Sequence, residues 1–305
     1  MLKASHSSLM RMRGHENGPH MRDHALDLRN VGFTVVPGTL DPALVRLARG
    51  ECLAAMGGML RQIDARSERS TEAFSFREII HRAPKRYDIH EQAGGRYFSA
   101  LCTQATAAAK QVVEHLHRLP LHPDDYDSRF SWTRRWSGAA SIILNGGAVV
   151  SLPGAPAQSF HADGSPMHFA LASKLPRHRL FQVFFPLQDI ESDSDGTQFW
   201  PGSHLSHRQR EHSDWRGLTQ DAETMATMLA PAVSAGGIVV FDYRIVHRGL
   251  PNAGNRPRPI GHALLSTGFA SDRQNYGRFP SVWDDAAMER AFRAKCSDFA
   301  DGDDD

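Results

Sequence analysis

The residues of this chain best suited to chemistry lie in two short segments, Gln158-Ser-Phe-His161-Ala-Asp163-Gly-Ser-Pro166 and Gly236-Gly-Ile-Val-Val-Phe-Asp-Tyr-Arg-Ile-Val-His247-Arg-Gly-Leu-Pro-Asn252. In an extended strand, side chains two apart share a face, so His161 and Asp163 can offer an imidazole nitrogen and a carboxylate oxygen to one cation. The second segment reads as a hydrophobic strand running into a Gly/Pro/Asn turn, and His247 at its end is the best third ligand. Two imidazoles and a carboxylate on one face of an ion, with the other positions open, form the facial triad of non-haem Fe(II) oxygenases. The open positions matter because dioxygen and a bidentate co-substrate must both reach the iron. Zinc accepts two His and an Asp equally well, so the ligands alone do not name the metal. Arg258 helps to discriminate. It opens a predicted strand, with Arg256 two residues before it, and a guanidinium there can hold a dicarboxylate co-substrate through two parallel hydrogen bonds.

Elements able to position these side chains can be read around them. Val31-Gly-Phe-Thr-Val-Val-Pro-Gly38 has the pattern of a short strand ending at a turn, with order beginning near Leu26. A helix follows, capped by Asp41 and opened by Pro42, with Leu44, Leu47, Cys52, Met56 and Leu60 near helical spacing. Residues 67–95 are charged and lack a clean period, which suggests a lid or substrate loop. An Ala-rich helix is expected over Arg96–Leu119. From Ser137 onward, β-rich runs appear between Gly/Pro punctuation: Ala139–Leu144, Ala148–Leu152, Leu180–Leu187, Ile238–Phe241 and Arg258–Phe269. That spacing fits a sandwich or jelly roll, with a last helix near Asp284–Lys295 and an acidic tail.

Composition narrows the function classes. The 305 residues are 41% hydrophobic and 23% charged, close to globular averages. A formal net charge of +1 provides no field for nucleic acid or anionic lipid, so a small-molecule substrate is expected, with no nucleic-acid or membrane partner. The 3 cysteines, Cys52, Cys102 and Cys296, contain no CxxC pair and read as buried thiols. Among the 17 histidines, His6, His15, His20 and His24 form an aperiodic N-terminal set that reads as a flexible arm more than a metal tract.

With those residues assembled, the chain resembles the phytanoyl-CoA dioxygenase-like family of Fe(II)/2-oxoglutarate-dependent oxygenases. The resemblance is carried by Gln158 to Asp163, by Gly196-Thr-Gln-Phe-Trp-Pro-Gly-Ser-His204, by His247 to Asn252 and by Arg258, in the family's order. It implies a mainly β fold with flanking α-helices around a double-stranded β-helix core of jelly-roll, cupin-like type. It also implies His161, Asp163 and His247 as iron ligands, Arg258 as partner of the distal carboxylate of 2-oxoglutarate, and Gln158 and Thr197 as further co-substrate contacts. His204 then belongs to a structural turn, and His168, His178, His207, His212 and His262 have no matching role. The family's glycine ahead of the Pro-Gly-Ser-His turn falls on Asp195, one residue before Gly196, and Ile260 stands where many relatives have a hydroxyl residue. Candidate substrate contacts are Arg77, Arg86 and Tyr87, with Asp88 beside them, and Trp132 and Arg134 ahead of the β region.

The expected activity is therefore a dioxygenase using Fe(II), 2-oxoglutarate and O2 to oxidise, most simply to hydroxylate, an unactivated C–H bond of a small molecule, releasing succinate and CO2. Desaturation, cyclisation and epimerisation use the same cofactors. A zinc hydrolase and a catalytically silent metal-binding jelly roll are the readings from other classes. The expected organisation is a flexible arm over 1–25, one oxygenase domain over 26–297 and an acidic tail over 298–305. Within the domain, 26–136 is helical, 137–270 the jelly roll and 281–297 a C-terminal helix. No apolar run suits a signal peptide or a membrane span, and Asp303-Asp304-Asp305 is unlike a peroxisomal Ser-Lys-Leu, so a soluble, cytoplasmic location is expected. Oligomeric state is not legible.

Overall fold

Helices and strands alternate through the first part of the chain before strands take over. The computed structural model describes residues 20–65, 73–90, 94–120, 142–163, 180–191, 195–205, 222–266 and 279–284. In chain order the elements are α1 (Met21–Asn30), β1 (Phe33–Val36), α2 (Pro42–Asp64), β2 (Ile79–Ala83), β3 (Arg86–His90) and α3 (Arg96–Arg118). Then follow β4 (Ile142–Ser151), β5 (Leu180–Pro186), β6 (Thr197–Phe199), the single turn α4 (Ala222–Met225), β7 (Ile238–Asp242), β8 (His247–Gly249) and β9 (Arg258–Ser266).

Seven strands form a major sheet in the order β1-β7-β5-β9-β4-β3-β2, and β6 pairs with β8 in a minor one. Every pairing is antiparallel. This is the double-stranded β-helix expected, a mainly β core with helices outside it. Alternation assigns the two faces of the major sheet. Ala148, Val150, Phe181, Val183, Phe185, Val240, Ala263 and Leu265 join a core with Val45, Cys52, Met56, Leu101, Ala105 and Val112 of α2 and α3. The intervening residues face inward, where Phe33, Val239, Phe241 and Ile260 pack with Phe199 and Ile245. Cys52 and Cys102 are buried free thiols.

Local chemistry explains several boundaries. The Asp41 side chain accepts from Ala43 N at 2.8 Å with Pro42 in the first turn, which starts α2 where the sequence places it. Gly38, at φ 61°, ends the β1 segment in a turn that favours glycine.

Other expectations are corrected. Helix α1 opens at Met21, ahead of the Leu26 expected for the first ordered segment, and His24, read as part of a flexible arm, is buried with Nδ1 2.9 Å from Thr34 Oγ1. Residues 79–90, expected in a lid or substrate loop, form the β2–β3 hairpin at the sheet edge. The two runs Ala139–Leu144 and Ala148–Leu152 are one strand, β4, because Gly146-Gly147 stays extended against β9. At the expected C-terminal helix, 281–284 forms a turn with Val282 buried, and the rest of that segment lies outside the described residues.

Candidate metal centre

His247 begins β8, and the backbones of His247 and His161 pair reciprocally, with N–H···O distances of 3.0 and 2.8 Å. This bridge brings two histidines distant in sequence side by side, their ring centroids 4.5 Å apart. Asp163 stands between them. His161 Nε2 lies 3.7 Å from Asp163 Oδ1, and His247 Nε2 lies 3.7 Å from Asp163 Oδ2. One ligand atom from each residue falls within 4.8 Å of the others, and among the described residues this is the group with metal-binding geometry.

The hydrogen bonds behind the rings fit a cation. His161 Nδ1 donates to Ser159 O at 2.9 Å and His247 Nδ1 to Ile245 O at 3.0 Å. Carbonyl acceptors fix the proton on Nδ1, so both Nε2 lone pairs face the Asp163 carboxylate, the tautomer a metal requires. His247 is buried between Phe199 and Phe241, at centroid distances of 5.9 and 5.2 Å. Burial, helped by the neighbouring His161 and opposed by Asp163, pulls its pKa down to about 4, so the imidazole is neutral at ordinary pH. His161 and Asp163 retain side-chain exposures of 37% and 20%, which leaves the open side of the triad toward the cavity.

That cavity has a volume of about 580 Å³, enough for a small co-substrate together with a small organic substrate. Its wall includes Gln158, Thr197 and Gly249 beside the triad. Gln158 Oε1 accepts from Gly249 N at 3.0 Å, which ties the segment before His161 to the end of β8. Arg258 is buried and is not among the described residues that line the cavity, while the exposed Arg256 borders a separate groove with Arg46 and Arg49.

The substrate candidates part ways. Arg86 lies on the inner face of β3 and lines the cavity. Tyr87, one residue on, points to the outer face and stacks on Phe74 and His81 at 6.1 and 5.3 Å. The Arg77 side chain is 62% exposed and pairs with Glu78, away from the cavity. Trp132 and Arg134 lie outside the described residues, as do His168, His178, His207 and His212. His204 is buried with Nε2 donating to Arg29 O at 3.0 Å, where it braces the turn against the end of α1.

The sequence reading gave His262 no role, yet it lines the cavity with Asp88. His262 Nε2 and Asp88 Oδ1 are 2.8 Å apart, and Arg82 Nη2 donates to Asp88 Oδ2 at 2.7 Å. Alternation carried the missing signal, since Arg86 and Asp88 share one face of β3 while Arg258, Ile260 and His262 share one face of β9.

Comparison with known proteins agrees with this architecture. The sequence pattern of the family described as Phytanoyl-CoA dioxygenase (PhyH) matches residues 28–260. The fold is similar to that of the non-haem α-ketoglutarate-dependent epimerase SnoN from nogalamycin biosynthesis, with a TM-score of 0.50 and 18% identity over 85% of this chain and 90% of that one. AviO1 from Streptomyces viridochromogenes Tue57 gives 0.52 and 17% over 83% and 97%. HygX from Streptomyces hygroscopicus, solved with nickel and 2-oxoglutarate bound, gives 0.52 and 13% over 83% and 89%.

Proposed function

From the premise that the chain belongs to the phytanoyl-CoA dioxygenase family, and so is an Fe(II)- and 2-oxoglutarate-dependent dioxygenase, we propose that it hydroxylates an unactivated C–H bond of a small molecule. In that reaction one oxygen atom of O2 enters the product and the other enters succinate, as 2-oxoglutarate loses CO2. The observation that carries the reading is the convergence of two tautomer-fixed imidazoles and one carboxylate beside a cavity. We assign His161, Asp163 and His247 as the iron ligands, with Gln158, Thr197 and Arg258 as the residues around 2-oxoglutarate. Bound together, iron and 2-oxoglutarate supply with O2 an oxidant able to take hydrogen from an unactivated carbon.

The protein's own residues do the rest. Ser159 and Ile245 carbonyls hold the imidazole protons away from the metal position. Phe199 and Phe241 pack against His247 and keep water from its buried side. Asp163 supplies the third ligand and its negative charge, where a halogenating relative would have a small residue to admit halide. Hydroxylation is the simplest outcome of this arrangement. Desaturation, cyclisation and epimerisation differ only in the fate of the oxidised substrate.

Anaerobic titration with Fe(II) and then 2-oxoglutarate tests the assignment. Wild type is expected to develop the weak visible charge-transfer band of the chelate, and His161→Ala to lose it. Metal binding without a band would overturn the co-substrate assignment. Once a substrate is in hand, isotopically labelled dioxygen should place one labelled atom in the product, and a dehydrogenated or isomerised product would replace hydroxylation.

A further inference from the structure

Among the described residues the buried charges near the start of β9 do not balance. Arg258 is 1% exposed; it pairs through Nη1 with Asp195 and Pro251 O and donates through Nη2 to Leu250 O at 2.7 Å. Arg86 pairs across the sheet with Ser151, which in turn pairs with Arg258, so the two arginines lie at one level of the inner face with β4 between them. Arg86 is 2% exposed, and its partners are neutral: Pro156 O at 2.8 Å, Leu250 O at 3.2 Å and Gln158 Oε1 at 3.4 Å. The Leu250 carbonyl is thus shared by both guanidiniums. Nε of Arg86 and Nε of Arg258 are both buried with no hydrogen-bond partner among the described residues.

Among the described residues two buried guanidiniums therefore meet one carboxylate, which leaves a surplus positive charge. An uncompensated buried charge is costly unless an anion arrives from outside. Burial, and then the proximity of Arg258, bring the Arg86 pKa down to about 10, which leaves it charged at neutral pH. Of the two, it is Arg86 that borders the cavity. The fold also keeps its place clear, because a Cβ at Gly249 would collide with Nη1 of Arg86 and Oε1 of Gln158.

We propose that Arg86 is a co-substrate residue that takes the distal carboxylate of 2-oxoglutarate, and that Asp195 is a built-in counter-ion that competes with this carboxylate for Arg258. The proposal rests on the reading of this cavity as a 2-oxoglutarate site, and it moves Arg86 from the substrate to the co-substrate. Asp195 thereby sets the affinity. While it holds Arg258, only one guanidinium is free for the incoming dianion.

The test is the dissociation constant of 2-oxoglutarate for the Fe(II)-loaded protein, measured anaerobically from the chelate band. 2-Oxobutanoate, a 2-oxo acid with no distal carboxylate, serves as the reference probe. Arg86→Met is expected to weaken 2-oxoglutarate by about 10- to 100-fold, the range of a charge-assisted pair, with 2-oxobutanoate and Fe(II) affinities unchanged. Arg86→Lys should recover part of the loss. Asp195→Asn, which keeps the acceptor toward Gly196 N, is expected to tighten 2-oxoglutarate several-fold and leave 2-oxobutanoate alone. An Arg86→Met protein that binds 2-oxoglutarate like wild type, or that loses both acids equally, overturns the role of Arg86. An Asp195→Asn protein with unchanged or weaker binding overturns the counter-ion. Failure of the wild type itself to bind 2-oxoglutarate would instead remove the underlying co-substrate reading, and this proposal with it.

Discussion

Asp88 shows how a cavity wall can be held by charge. Burial alone would raise its carboxyl, but His262, Arg82 and His90 together outweigh that and hold it well below the ordinary carboxylate range. A folded pKa below the unfolded value means that the ionised group stabilises the fold above that value, 3.8, and that this stability is lost as pH falls through and below it. Asp88→Asn is accordingly expected to cost on the order of 3–5 kcal/mol in urea denaturation at neutral pH, as one partner of a buried ion pair is removed. The difference from wild type should shrink as the pH is lowered below about 4. A difference that stayed constant with pH would assign the loss to packing. The proposed metal ligands were legible in sequence because His161 and Asp163 sit two apart in an extended segment and His247 stands at a marked strand end. The Asp88–His262 pair was not, because its members are 174 residues apart and meet only through the registers of β3, β4 and β9.

At the scale of elements, strands that line a polar cavity defeat the usual pattern. β3 carries Arg86, Asp88 and His90 on its inner face and Tyr87 and Ile89 on its outer one, so its alternation is hydrophobic outward, toward the helices. Without its partner strands the segment reads as a charged loop. β4 was split in two by Gly146-Gly147, yet glycine is what the position needs. A Cβ at Gly147 would lie 2.5 Å from Ile89 O and 2.8 Å from His262 Nε2. Helix α1 was hidden for a similar reason, since its buried face is only His24, Ala25 and Leu28. Within it, burial and then the nearby Asp23 raise Asp27 from 3.8 to about 6. The folded state thus holds this proton more tightly than the unfolded one, and the stability it contributes is lost as pH rises from about 4 to about 6. Asp27→Asn should therefore be more stable than wild type in thermal melts at neutral pH and indistinguishable near pH 4. A difference that did not change with pH would show that the carboxylate is solvated.

For the molecule as a whole, one apolar core joins α2 and α3 to the outer face of the major sheet, and among the described residues the helices have no separate core of their own. The helical part and the jelly roll are therefore expected to unfold together, with far-UV circular dichroism and tryptophan fluorescence giving coincident transitions; two separated midpoints would divide the chain into domains. No described helix is long and apolar enough to cross a membrane. By itself the sequence determined the candidate metal triad and the class of fold, because a His-x-Asp segment, a His at a strand end and punctuated β runs are local patterns whose physics needs only neighbouring residues. Tertiary structure alone decided which charges share the cavity. Whether Arg86 faces the cavity or solvent, whether Arg258 is met by Asp195, and whether Tyr87 lies inside or outside all depend on strand register, where a slip of one residue exchanges the two faces of a sheet. That register is fixed by pairings between distant segments, which no local pattern contains.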